Sequence, residues 1–326
     1  MSKFLTIRNN KHTESFVLPD FFQLPFELDD FQKHALDCIN RNEDVLVTAH
    51  TGSGKTIPAE YAIAKALHNK KCVIYTAPIK TLSNQKYKDF CDKFGKENIG
   101  ILTGDIKNNI DAPCLIMTTE ILRNILYRQK INPDLKPNNL MDINIDIDQV
   151  ESVIFDEVHY INDKYRGSVW EESIIMLDPK INLIMLSATI DEADKFASWI
   201  GDIKNKNISL ISTNKRPVPL QHHLFLEEDK VYDILDENNN FQDTNYDDAI
   251  RYYKKMEKKS SYGRVNSKAL LINSVNYLNN KGQLPATYFV LNRKNCSKFA
   301  KLLPQNLISG EDSAKSVKLF ETYLLR

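Results

Sequence analysis

A chain of 326 residues exceeds one ordinary domain and suits about two, at roughly 100–200 residues each. With 42% hydrophobic and 26% charged residues it can bury a sizeable core, which excludes wholesale disorder. Lys plus Arg and Asp plus Glu number 43 each, so no global positive field exists, and any nucleic acid must be held by a local basic surface or by backbone groups.

The five cysteines, Cys38, Cys72, Cys91, Cys114 and Cys296, are scattered and contain no Cys-x-x-Cys pair, which argues against a disulfide scaffold and against structural zinc. The opening Met1-Ser2-Lys3-Phe4-Leu5 leads into no signal-peptide run, and no stretch approaches the ~20 apolar residues of a membrane span. The expectation is an intracellular protein, cytoplasmic or nuclear, with no membrane partner.

Residues 1–20 are polar and mixed, without a sustained period, and read as a loosely held arm. Asp29 or Asp30 can cap a helix carrying Phe31, Ala35, Leu36 and Ile39. Strand-like runs follow at 45–48, 72–77, 99–102, 114–118, 153–155, 183–186 and 208–211, with helical stretches near 55–69, 80–93, 119–130, 168–177 and 191–200. Buried, mostly non-alternating strands interleaved with helices predict an α/β domain, its doubly wound parallel sheet covered on both faces, over 21–225. Acidic and then basic blocks over 226–268 read as a solvated, mobile linker. A helix at 269–278, a strand at 287–291, a helix near 294–303 and a strand near 307–309 predict the beginning of a second α/β domain over 269–326, too short for a full sheet.

Val45-Leu46-Val47-Thr48 runs into Ala49-His50-Thr51-Gly52-Ser53-Gly54-Lys55-Thr56 and then a helix. This is the Walker A pattern, with Ala49 at its first glycine position, in the strand-to-helix context the motif needs. Glycines there let backbone N–H groups turn inward around phosphate oxygens at the positive end of a helix dipole. Thr51, Gly52, Ser53, Gly54, Lys55 and Thr56 are therefore the expected ATP-binding residues, Lys55 reaching the β- and γ-phosphates and the Thr56 hydroxyl holding Mg²⁺. His50 reads as a local hydrogen-bonding residue.

Val153-Ile154-Phe155 ends in Asp156-Glu157-Val158-His159, which puts two carboxylates at the C-terminal edge of a strand, where ligands of open α/β sheets bind. Behind a phosphate loop, Asp156 is expected to hold Mg²⁺ and Glu157 to orient and deprotonate the attacking water. His159 fits no simple metal-ligand spacing and reads as a switch residue on the γ-phosphate network. Ser187-Ala188-Thr189 ends the next apolar strand, and the hydroxyls of Ser187 and Thr189 are expected to bond the Asp-Glu-Val-His segment, coupling nucleotide state to domain position; a simple helix cap before Asp191 is the alternative.

Together, 49–56, Asp156-Glu-Val-His-Tyr-Ile-Asn-Asp163 and Ser187-Ala-Thr-Ile190 resemble the DExH-box RNA helicases of superfamily two, and within them the superkiller-type group that serves the RNA exosome. Further matches are Tyr75-Thr-Ala-Pro-Ile-Lys-Thr-Leu-Ser-Asn-Gln-Lys86, Leu102-Thr-Gly-Asp105, Met117-Thr-Thr-Glu-Ile-Leu-Arg123 and Lys215-Arg-Pro-Val-Pro219, in family order from about Phe26 to Arg293. The resemblance implies two RecA-like P-loop NTPase domains and translocation along RNA from 3′ to 5′. The RNA would be single-stranded or partly duplex, and an exosome-type RNA degradation partner is implied as well. It places Phe26 and Gln32 on the adenine, and Pro78, Lys80, Gln85, Thr103, Gly104, Thr118 and Thr119 along the RNA backbone. Hydroxyls, exposed N–H groups and helix starts suit that task, since they bind phosphates without reading sequence.

Three departures qualify the resemblance. Gly52-Ser53 stands where this subgroup often has Ser-Ala, and 131–150 reads as an insertion. Nothing after Arg293 resembles the Gln-x-x-Gly-Arg-x-Gly-Arg segment that supplies arginine fingers in this family, a loss of order 10³–10⁵ in rate. The expectation is a piece of a larger helicase whose arginine-finger lobe is a necessary partner. A DNA helicase of a related branch, and a catalytically incomplete ATP- and RNA-binding module, are the rival readings.

Overall fold

The computed structural model describes residues 3–13, 16–131, 149–188, 190–216, 218–227, 229–259, 266–303 and 310–324. It falls into two compact units, Met1–Pro217 and Val218–Arg326.

The first unit is built on β1 (Leu5–Ile7), β2 (Asp44–Ala49), β3 (Cys72–Ala77), β4 (Ile99–Leu102), β5 (Lys107–Asn108), β6 (Cys114–Thr118), β7 (Val150–Phe155), β8 (Asn182–Ser187) and β9 (Ile208–Thr213). Among the described residues these form one nine-stranded sheet in the order β1-β9-β2-β8-β7-β3-β6-β4-β5, parallel throughout except for the β4–β5 pair. The α/β expectation holds, and its strands and helices lie within a few residues of the observed ones because runs of Val, Ile and Leu buried on both sides leave little choice of structure.

Helices α1 (Asp30–Asn40), α2 (Ile57–His68) and α3 (Lys80–Phe94) cover one face; α4 (Thr119–Ile131), α5 (Gly167–Met176) and α6 (Ala193–Lys204) cover the other. The sheet's alternation sorts the core accordingly. Val45 and Val47 pack with α1–α3 and Leu46 with α4–α6; Tyr75 faces the first layer and Ile74 the second. Each such aliphatic side chain contributes roughly 1.5–3 kcal/mol by burial. Among the described residues the buried charges are bonded: Asp44 accepts from Leu183 N at 2.9 Å and Lys206 Nζ at 2.7 Å, and Lys204 Nζ donates to the carbonyl of Leu177.

Two expectations fail in this part of the chain. The N-terminal arm is not loose: Leu5–Ile7 pairs in parallel with Ile208–Leu210, Arg8 reaches Glu43 and Ser209, Ser212 N donates to Asn9 Oδ1 at 2.8 Å, and His12 Nε2 meets Asp37 Oδ2 at 2.6 Å. A three-residue strand between Phe4 and Arg8 is too short to leave a periodic signal, yet an open sheet edge takes it up. The expected boundary at 225 also moves, because the first unit closes at Pro217 and residue 225 lies inside a strand of the second. The insertion expected at 131–150 falls almost wholly outside the described residues.

In the second unit, β10 (His222–Glu227) and β11 (Lys230–Leu235) form an antiparallel hairpin followed by α7 (Asp243–Lys259), where a mobile linker was expected. The acidic and Asn-rich run there is turn chemistry: Asp236 accepts from the backbone N–H groups of Asn238 and Asn240. The helices expected next are α8 (Ser267–Asn280) and α9 (Arg293–Ala300), capped by Asn266 and Asn292, with α10 (Gly310–Leu324) beyond. The strand expected at 287–291 is not formed, and the one near 307–309 lies outside the described residues. An apolar run becomes a strand only beside another strand.

Candidate functional site

Because β2, β8, β7, β3, β6 and β4 are parallel, their C-terminal ends share one edge of the sheet, and nearly every residue singled out in the sequence sits there. On the β2-β8-β7 half stand the phosphate loop, Ser187 and the Asp-Glu pair. The β3-β6-β4 half carries Pro78 and Lys80, Thr118 and Thr119, Thr103 and Gly104.

The phosphate loop turns on Gly52 and Gly54, at φ +85° and +83°, a region that disfavours side chains. Gly54 has a second constraint, since a Cβ there would lie 2.6 Å from Gln32 Nε2, which donates to the Gly54 carbonyl at 3.2 Å. Gln32 is itself oriented by Asp29 N, which donates to its Oε1 at 2.9 Å at the start of α1. Ser53 is buried and its hydroxyl closes the loop onto the His50 carbonyl at 2.7 Å; the expected hydrogen-bonding part of His50 is thus played by its backbone. Thr51 is exposed, and Phe26 is 52% exposed with its ring free for stacking.

Lys55 is 8% exposed, and its Nζ donates to both carboxylate oxygens of Glu157, at 3.0 and 2.8 Å, across 102 residues of sequence. Glu157 holds this position in left-handed backbone, φ +51° and ψ +46°, a strained conformation for a non-glycine residue. His159 Nδ1 lies 3.2 Å from Glu157 Oε2 but makes no well-formed hydrogen bond.

Asp156 is 5% exposed, with both carboxylate oxygens engaged: Oδ1 accepts from Glu157 N at 2.9 Å and Oδ2 from the hydroxyl of the fully buried Tyr75. Burial pushes the Asp156 carboxyl above the usual range, while the Tyr75 hydroxyl and the charges of Lys86 and Lys55 pull it back down. Lys86, on α3, donates from Nζ to Thr56 Oγ1 at 3.3 Å. A hydroxyl and a carboxylate are the hard oxygen donors that suit Mg²⁺, and an ammonium already bonded to one of them marks a position that accepts positive charge.

The other half of the edge is mixed: Lys80, Gln85 and Gly104 are exposed, while Pro78 and the three threonines are buried. Lys80 Nζ reaches Asp105 Oδ2 at 2.6 Å in solvent, beside Gly104, and Gln85 is exposed. Thr103 is buried and its hydroxyl accepts from Ile106 N at 3.1 Å. Thr118 and Thr119 are buried, and the Thr119 hydroxyl has no partner among the described residues. Arg166 joins the two halves. It is set by a turn in which Asp163 Oδ1 accepts from Tyr165 N and Arg166 N, and it donates to the Pro78 carbonyl and to Glu120.

One expected contact is absent. The Ser187 hydroxyl is buried without a partner among the described residues and does not bond the Asp156–His159 segment, Ser187 being the last residue of β8 and paired in register with Thr48; Thr189 lies outside the described residues. Sequence reading passed over Tyr75, Lys86 and Arg166. Tyr75 reads as core in an apolar strand, and Lys86 as one of many charges on a helix.

Among the described residues no helix is long and apolar enough to cross a membrane. The sequence of residues 29–197 matches the DEAD/DEAH box helicase family. Relatives include the antiviral helicase SKI2 of Saccharomyces cerevisiae, 50% identical over 68% of this chain and 16% of that protein. The exosome RNA helicase MTR4 of Homo sapiens is 38% identical over 91% of this chain and 28% of that protein. This chain therefore spans less than a third of the curated relatives it matches. Among solved structures, the DUF1998 helicase MrfA shares the fold with a TM-score of 0.54 at 14% identity, over 84% of this chain and 38% of that one. The family model covers more than half of the sequence, and with SKI2 and MTR4 among the relatives it resembles, the chain belongs to the DEAD/DEAH box helicase family.

Proposed function

We propose that this chain is the ATP-hydrolysing motor of an RNA helicase. The observation that carries the reading is the contact between Lys55 and Glu157, which brings phosphate loop and carboxylate pair together across 102 residues of sequence. Backbone N–H groups of 52–56 and the Lys55 ammonium bind the triphosphate, Gln32 and Phe26 take the adenine, and Thr56 and Asp156 hold Mg²⁺. When bound, Mg²⁺ neutralises charge on the phosphate oxygens.

The phosphates compete with Glu157 for Lys55. Their arrival transfers the ammonium to phosphate and frees the carboxylate, which then orients water and accepts its proton. His159, beside Glu157, is placed to sense that exchange. Ser187 and Thr189, next along the edge, are proposed to couple it to domain movement.

Pro78, Lys80, Gln85, Thr103, Gly104, Thr118 and Thr119 hold the backbone of single-stranded or partly duplex RNA, with movement from 3′ to 5′. RNA as the polymer and an exosome-type partner are supported by relatives named for RNA and the exosome, and work in the cytoplasm or nucleus is proposed with them. Full turnover also needs an arginine on the γ-phosphate, supplied by a further lobe.

The test is the steady-state ATPase rate of the 326-residue chain at fixed salt, alone, with single-stranded RNA, and with DNA of the same sequence. Stimulation by RNA above DNA is expected. Binding of ATP with turnover indifferent to RNA, even after the arginine-bearing lobe of a relative is added, would refute the reading; equal stimulation by DNA would favour the DNA-helicase branch.

A further inference from the structure

Lys86 stands at a junction. Its neighbour Gln85 is exposed on α3, the helix whose first turn belongs to the proposed RNA edge, whereas Lys86 is half-buried and directs its Nζ at Thr56 Oγ1, 3.3 Å away. Among the described residues no carboxylate oxygen lies within 4 Å of that ammonium, so the charge is not spent in an ion pair. Its stem is backed by Phe90, with Nζ 5.9 Å from the ring centroid. Phe90 in turn packs edge-to-face on Tyr75 at 5.2 Å, and Tyr75 donates to Asp156. One helix thus touches the hydroxyl donor directly and supports the carboxylate donor through two aromatic rings.

We propose that Lys86 is a positioning residue that governs metal occupancy: its ammonium competes with a divalent cation at Thr56 and Asp156, and RNA held at the start of α3 relieves that competition. The proposal rests on the reading of Thr56 and Asp156 as the metal donors. A single and a double positive charge a few ångströms apart in a partly dry site repel strongly, so the two exclude one another. The flexible four-carbon stem lets the ammonium swing away without unfolding the helix. Metal uptake therefore requires Lys86 to leave, and a shift of α3 changes how readily it does.

The experiment uses the full chain with ADP, free Mn²⁺ being followed by electron paramagnetic resonance, so that no turnover is involved. Lys86→Met should lower the Mn²⁺ midpoint on the order of tenfold. Lys86→Arg, which keeps the charge, should stay near the wild type, and ADP affinity without metal reports that each variant is folded. Oligouridine should lower the midpoint of the wild type and leave that of Lys86→Met unmoved. An unchanged midpoint in Lys86→Met overturns the proposal, and so does an oligouridine effect of equal size in both proteins. If Lys86→Met loses ADP binding, Lys86→Gln takes its place under the same criteria. A wild type that binds ADP with no Mn²⁺ dependence overturns the proposal and the Thr56–Asp156 assignment together, whereas failure of the variants alone leaves that assignment standing.

Discussion

The two halves of the sheet edge are built to opposite specifications. On the β2-β8-β7 half the working groups are charged, buried and locked: Lys55 and Asp156 are nearly sealed, and each is held by two hydrogen bonds. On the β3-β6-β4 half the groups are neutral hydroxyls held at strand ends, a glycine and a solvated lysine, and the Thr119 hydroxyl has no partner among the described residues. A small, densely charged ligand rewards preorganised charge in a dry site, where each interaction is strong. A polymer backbone rewards many weak, accessible contacts that can be released one nucleotide at a time.

The largest effects should fall on the charged half. Lys55→Ala is expected to abolish ATP binding in a fluorescent-nucleotide titration. Glu157→Gln should keep that binding and lower turnover by about 10²–10⁴; binding retained with turnover untouched would remove Glu157 as the base.

Tyr75→Phe comes next. The hydroxyl favours ionised Asp156, so its loss moves an already raised carboxyl further up, and the acid limb of the ATPase pH profile shifts toward neutrality. A reduction of about tenfold near pH 6, recovering at higher pH, is expected from one hydrogen bond to a charged group; a pH-independent loss would make Tyr75 a packing residue only.

Smaller changes belong to the β3-β6-β4 half. Lys80→Ala should weaken RNA binding uniformly across sequences and reduce the slope of log affinity against log salt by about 1. A sequence-dependent loss would mean that this edge reads bases. Smallest of all is a control away from both halves. Burial pushes Lys204 down to about 8 from 10.5, so the folded chain releases this proton first, the unfolded chain holds more protons between those values, and stability rises with pH across them. In Lys204→Met that rise in the urea midpoint should disappear while RNA binding stays as it was.

What could be read from sequence divides along the same line. The central strands announce themselves as aliphatic runs, and the phosphate loop and Asp-Glu pair as patterns of charge and glycine whose chemistry admits few alternatives. Tyr75 and Lys86 were hidden because their roles come from strand and helix faces meeting in space: an inward tyrosine differs from a core tyrosine only by the carboxylate above it. Leu5–Ile7 was hidden by brevity. The hairpin of β10 and β11 was hidden by charge, since Asp236 and its asparagines serve a tight turn rather than a solvated tether.

The strand order also carries a consequence for biosynthesis. Among the described residues β2, which leads into the phosphate loop, pairs only with β8 and β9, and β1 pairs with β9. An emerging chain therefore exposes the apolar strand 44–49 until residues 182–213 have been made, a wait of roughly ten seconds or more at ordinary elongation rates. The strand that leads into the phosphate loop is made well before the two strands it pairs with, which makes it the segment a chaperone would have most reason to guard.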